Sequence, residues 1–178
     1  MSRYSLMFYL ILGVALCKVS CQNENKSLPG IEISDPDFDK TLKSYLDFSV
    51  ALISVDSLYK NQADYVILDA REKEEYLTSH IPNARHLGYK DVNWELINDI
   101  NKKEKLLVYC SIGYRSEKLG EKLKRKGFEV YNLYGSIFEW ANKGYPLQDA
   151  QGKNTYRIHG YNKKWSKWVL NDKMHVTY

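Results

Sequence analysis

Lys105-Leu106-Leu107-Val108-Tyr109-Cys110-Ser111-Ile112-Gly113-Tyr114-Arg115-Ser116 sets a compact apolar run, a cysteine, a glycine and an arginine side by side. The run Leu106 to Tyr109 is too short for a helix and has no polar alternation, so it reads as a strand buried on both faces. From Ser116 to Lys126, Leu119 and Leu123 lie one turn apart, the end is basic and Gly127 stops the pattern. That reads as a helix with Ser116 as its N-cap. A strand that runs through a tight loop into a helix is the unit of an α/β sheet, and in open parallel sheets sites form beyond the carboxyl ends of the strands. Cys110 stands at such an end.

Working outward, strand and helix signals alternate. Tyr65-Val66-Ile67-Leu68 is a short apolar run, Glu72 to Leu77 a polar helix, Ile81-Pro82-Asn83-Ala84 a turn, Trp94 to Ile100 a helix and Phe128 to Leu133 a strand. Ahead of them, Asp35-Pro36-Asp37 with Phe38, Leu42, Tyr45 and Leu46 at three- and four-residue spacing predicts an amphipathic helix with an acidic first turn. The alternation predicts an α/β fold, a mostly parallel central sheet with helices on both faces. A chain of 178 residues with 44% apolar and 27% charged residues fits one folded domain and excludes wholesale disorder.

The loop has the makings of a thiolate site. Backbone N–H groups from Ser111 to Ser116 can turn toward the sulfur, with the positive end of the helix dipole behind them. A helix N-terminus beside an arginine lowers a cysteine pKa from about 8.5 into the range of roughly 3.5 to 7.5. Cys110 is thus the expected nucleophile, needing no separate base. Gly113 would give the loop backbone angles closed to other residues, and Arg115 a fixed positive charge suited to an oxyanion. A buried, inert cysteine is the plainer alternative.

Three motifs in order resemble the rhodanese family. Leu68-Asp69-Ala70-Arg71 with Glu75-Tyr76 and His80-Ile81-Pro82-Asn83-Ala84 is similar to its first signature. Cys110 to Ser116 is similar to its active loop. Gly127 to Gly135, with Trp140 and Gly144-Tyr145-Pro146, is similar to its closing segment. Ser79 stands where glycine is common, and Ser136 replaces the second glycine of the closing pair; neither is expected to touch the nucleophile. Ser111 and Ile112 are neutral where thiosulfate-specialised members often carry basic residues. Arg115 is five positions after Cys110, whereas the related dual-specificity phosphatases have six, a wider ring for phosphate.

The resemblance implies a sulfurtransferase: a donor (thiosulfate, a persulfide or a polysulfide) leaves its sulfane sulfur on Cys110, and a cyanide or thiol acceptor takes it. Ser111, Ile112, Gly113, Tyr114, Arg115 and Ser116 would form the substrate-binding loop, while Asp69, Arg71 and His80 would be structural supports. The other reading is a non-catalytic rhodanese-like binding module at the cell envelope. Four scattered histidines and one free cysteine give no credible ligand spacing, so no metal and no cofactor are expected.

The flanks differ from the body. Arg3 followed by the apolar run Leu6 to Leu16 has export-signal anatomy, and the run is shorter than the roughly 20 residues of a membrane span. Val19-Ser20-Cys21 ahead of a polar stretch resembles a bacterial lipoprotein signal, with Lys18 where leucine is usual, so Cys21 is the expected lipidation site and possible membrane anchor at the bacterial cell envelope. Cleavage near Cys17 to a periplasmic or secreted product is the alternative. The expected organisation is a signal over 1–21, a linker over 22–34, an N-terminal helical extension over 35–52, the rhodanese-like domain over 53–148 and a basic aromatic extension over 149–178.

Net charge is +4, but residues 151–178 carry six Lys and Arg against one acid, whereas residues 21–150 are slightly acidic. The tail from Tyr156 to Val169 interleaves aromatic and basic residues, a pattern open to nucleic-acid or anionic-lipid contact. Aromatics packed on the domain with lysines facing water is the expected account, since export argues against nucleic acid.

Overall fold

The computed structural model describes residues 30–178. The export and lipidation expectations at Cys17 and Cys21 lie outside the described residues. In chain order the elements are α1 (Pro36–Tyr45), β1 (Ala51–Ile53), α2 (Val55–Lys60), β2 (Tyr65–Asp69), α3 (Lys73–Thr78), β3 (Arg85–His86), α4 (Glu95–Asn98), β4 (Lys105–Tyr109), α5 (Tyr114–Arg125), β5 (Glu129–Leu133), α6 (Ser136–Asn142), β6 (Leu147–Gln148), β7 (Asn154–Thr155), β8 (Arg157–His159), α7 (Lys163–Ser166) and β9 (His175–Thr177).

Five strands form one parallel sheet in the order β1-β5-β4-β2-β3. β4 lies at its centre, and the period-two alternation of a strand sends its side chains to opposite faces. Leu107 and Tyr109 join one buried cluster with Phe38 and Leu42 of α1, Leu58 of α2 and Phe138 and Trp140 of α6. Leu106, Val108 and Cys110 join the other, with Leu119 and Leu123 of α5 and Ile97 of α4. Helices therefore cover both faces, and the sheet can be apolar on both sides.

Local chemistry explains the helix starts. Asp35 Oδ1 accepts the N–H of Phe38 at 2.8 Å, Pro36 opens α1, and Asp37 and Asp39 lie in its first turn. At α3, Glu72 and Glu75 form a reciprocal capping box.

Three expectations are corrected. The helix after the cysteine loop begins at Tyr114, with Gly113 rather than Ser116 at its N-cap. Gly113 has φ 114°, and a helix can be entered from that left-handed angle most readily by a residue without a Cβ. The stretch expected as a helical extension ends in a strand, because β1 begins at Ala51 and pairs in parallel with β5. The last residues of the expected linker are held: Ile31 and Ile33 pack on the core, and Ser34 donates through N–H and hydroxyl to Glu139 Oε1 at 2.8 and 2.7 Å.

The C-terminal segment folds back onto the domain. β7 pairs with β6, β8 with β9, and Ile158 is fully buried in the core. Trp168 stacks on Phe38 with ring centroids 5.3 Å apart, and Trp165 meets Tyr45 edge-on at 4.9 Å. Lys163, Lys164 and Lys167 are exposed.

Candidate active site

Cys110 follows the last residue of β4, and its backbone is pinned from α6. Its N–H donates to Ser136 Oγ at 2.8 Å, and its carbonyl accepts from Ile137 N–H at 3.2 Å. The carbonyl of Ser111 accepts from Phe138 N–H at 3.3 Å. On the other side, Gly113 N–H donates to Cys110 Sγ at 3.1 Å, and α5 starts at the next residue. Asn132 on β5 donates to the carbonyl of Gly113 at 3.0 Å, and Ser116 Oγ lies 2.7 Å from Asn132 Oδ1. The loop is thus a fixed cradle between two helix N-termini.

Burial pushes the Cys110 thiol up, but the charge of Arg115 and the N–H groups of Ser116 and Gly113 outweigh it, so the thiol lies below its ordinary value. The surroundings of the sulfur thus favour its anionic form. Cys110 is 1% exposed and lines the floor of a pocket of about 320 Å³. Ser111, Ile112, Tyr114 and Arg115 also line it, whereas Gly113 and Ser116 serve the cradle behind the sulfur.

Arg115 does not present a free cation. Its Nη1 donates to Glu75 Oε2 at 2.6 Å and its Nη2 to Glu75 Oε1 at 2.8 Å, a two-pronged pair, and Nη2 also reaches Ser111 Oγ at 2.9 Å. Ser111 Oγ in turn donates to Glu75 Oε1 at 3.1 Å. Burial pushes Glu75 up, and the hydrogen bonds and charge of Arg115 more than reverse this, leaving its carboxyl below the usual range. Arg115 therefore polarises Cys110 from within a neutral pair.

The supports lie beside this cluster. Arg71 binds Asp69 through Nε at 3.0 Å and Nη2 at 2.6 Å, and Nη2 also donates to the carbonyl of Ser79 at 2.6 Å. Tyr109 hydroxyl donates to Asp69 Oδ2 at 2.7 Å and accepts from Ile81 N–H at 3.1 Å. His80 stacks on Tyr76, places Nδ1 3.1 Å from the carbonyl of Tyr76, and pairs its backbone with Gln148. None of the three lines the pocket.

Several site residues escaped the sequence reading. Ser136, expected to leave the nucleophile untouched, receives the Cys110 N–H from a left-handed backbone at φ 56°. Glu75 stood within a quoted motif without a role; the burial of an acid beside exposed Leu77 inverts what periodicity predicts. Tyr45, Tyr161 and Trp165 complete the pocket from both flanks of the domain, and only long-range folding brings them there. His159 of β8 does not line the pocket but accepts the N–H of Tyr161 at 3.1 Å, and burial holds its imidazole below the ordinary value, opposed by the charge of Glu75 and reinforced by those of Arg71 and Arg115.

Comparison with known proteins agrees with this geometry. Residues 54–143 match the model of the rhodanese-like domain. Thiosulfate sulfurtransferase GlpE of Coxiella burnetii is 36% identical over 88 residues, which cover 49% of this chain and 80% of GlpE. A Porphyra purpurea protein named as a probable molybdopterin-synthase adenylyltransferase is 37% identical over 86 residues, 48% of this chain but only 22% of that larger protein. Among solved structures, a rhodanese-like domain protein from Staphylococcus aureus superposes with a TM-score of 0.50 at 29% identity, covering 56% of this chain and 98% of that one. A cysteine cradled at the end of the central strand, three motifs in order and these matches together make the chain a member of the rhodanese-like domain family.

Proposed function

We propose that this protein is a sulfurtransferase that carries sulfane sulfur as a persulfide on Cys110. The observation that supports the reading most directly is the seat of Cys110 Sγ: on the pocket floor, accepting the Gly113 N–H at 3.1 Å, at the N-terminus of α5. The thiolate attacks the outer sulfur of thiosulfate, a persulfide or a polysulfide. A new S–S bond forms, and the donor residue leaves as sulfite or thiolate with the electron pair of the broken bond. The cradle then holds an anionic terminal sulfur, where fixed N–H dipoles stabilise charge without reorganising. In the second half, cyanide or a thiolate attacks that sulfur and Cys110 departs as thiolate.

The test is mass spectrometry of the protein after exposure to several sulfane donors. A gain of one sulfur atom on Cys110, removed by cyanide and absent in Cys110→Ser, is expected. No gain with any donor would overturn the reading. We also propose export with lipidation at Cys21, carried by the sequence pattern of residues 1–21. Partitioning into a detergent phase that is lost in Cys21→Ser is expected, and aqueous behaviour of the intact chain would refute it.

A further inference from the structure

We infer that the pocket over Cys110 selects sulfane donors bearing an aromatic or bulky apolar group over the small dianion thiosulfate, with Tyr45, Tyr161 and Trp165 as specificity residues. The inference rests on the persulfide chemistry proposed above and names its substrate class.

The pocket walls come from three parts of the chain. The active loop gives Ile112 and Tyr114, α1 ends with Tyr45, and the C-terminal segment gives Tyr161 and Trp165. Around a sulfur nucleophile these side chains make an enclosure of rings and one aliphatic group. Such walls favour a flat apolar substituent through burial and offset or edge-on ring contacts. A doubly charged oxyanion entering the same space would shed water and meet no free cation. Arg115 is the one basic residue among the lining residues, and both its prongs are committed to Glu75, whose side chain is 3% exposed. Its guanidinium also lies under the Tyr161 ring, 5.0 Å from the centroid. Two nearby lysines do not change this balance: Lys118, near the Tyr114 ring, binds Asp47 at 2.6 Å, and Lys164, near the Trp165 ring, does not line the pocket.

Tyr161 shows that the wall is set in place by the fold. It has φ 62°, a left-handed angle uncommon for a bulky residue, and its N–H donates to His159 Nδ1 at 3.1 Å. Such backbone persists where the surroundings over-determine it. The result is a ring 47% exposed at the pocket rim, over the only guanidinium that lines the site.

With an aryl thiosulfonate, the Cys110 thiolate bonds to the outer sulfur, the bond between that sulfur and the sulfonyl sulfur breaks, and the aryl sulfinate leaves with its electron pair. The full chain is loaded with benzenethiosulfonate, methanethiosulfonate or thiosulfate, and the rate constant for persulfide formation on Cys110 is followed by mass. Each rate is divided by that of free cysteine, which removes the intrinsic reactivity of the donors.

The corrected preference for benzenethiosulfonate over thiosulfate is expected to be roughly tenfold or more, with methanethiosulfonate between them. It should shrink several-fold in Tyr161→Ala and Trp165→Ala. Tyr161→Lys, a change at an exposed position, should raise the thiosulfate rate by supplying an uncommitted cation. A corrected ratio near one, or one that none of these variants moves while Cys110 still gains sulfur, would overturn the inference and leave the sulfurtransferase reading standing. No sulfur on Cys110 from any donor would overturn both.

Discussion

At the scale of single residues, the site depends on how few atoms set the charge on one sulfur. The charge of Arg115 and the N–H groups of Ser116 and Gly113 hold Cys110 below the ordinary thiol range against the effect of burial. Alkylation of Cys110 should therefore show a pH midpoint below that of an ordinary exposed cysteine. In Arg115→Met that midpoint should move up, read from iodoacetamide rates across a pH series. Ser136 permits a separate test of the cradle. Removing its hydroxyl leaves the buried N–H of Cys110 without a partner, which costs about 1–3 kcal/mol. Its φ of 56° means that glycine would relieve strain there and alanine would not. Ser136→Ala should therefore lower the urea midpoint more than Ser136→Gly. Cys110, Gly113 and Arg115 were legible because their types and spacing carry chemistry in themselves. Ser136 and Glu75 were not, because a hydroxyl or a carboxylate shows its role only through its partner.

At the scale of elements, α3 and α5 are joined through the active loop by the Glu75–Arg115 pair at 2.6 Å, with side chains 3% and 11% exposed. Breaking a buried pair by removing one partner strands a charge, so Arg115→Ala should cost about 3–5 kcal/mol. Glu75→Gln/Arg115→Met, which strands none, should recover much of that loss in equilibrium unfolding. The folded-state pKa of Glu75 is depressed below the unfolded value of about 4.3, so its contribution is present above that pH and lost as pH falls through the folded value. As pH falls below about 5, the intact protein should lose more stability than Glu75→Gln. β2, β4, β5, α1 and the existence of α5 were readable from apolar runs, spacing and caps. The start of α5 was not, since serine is a common N-cap and a left-handed glycine three residues after Cys110 took that place instead. β1 was missed because three residues, Ala51 to Ile53, carry no periodic signal and form a strand only by pairing with β5.

At the scale of the whole molecule, the C-terminal segment belongs both to the core and to the pocket. Ile158 is fully buried, Trp168 stacks on fully buried Phe38, and Tyr161 and Trp165 stand over the active loop. A chain ending at residue 156 should unfold at lower urea, and Phe38→Ala in the full chain should cost about 3–5 kcal/mol by itself. Among the described residues, no helix is long and apolar enough to cross a membrane. The sequence by itself determined the family, the parallel α/β sheet and the position of Cys110 at a strand end, because apolar runs, a strand-end cysteine and loop spacing are local properties of the chain. Tertiary structure decided what surrounds the sulfur. It spent the charge of Arg115 on Glu75, set Ser136 behind Cys110 and brought Tyr45, Tyr161 and Trp165 from opposite flanks onto one pocket. These are contacts between residues far apart along the chain, chosen by how the two apolar faces of the sheet are covered, and no local pattern encodes them.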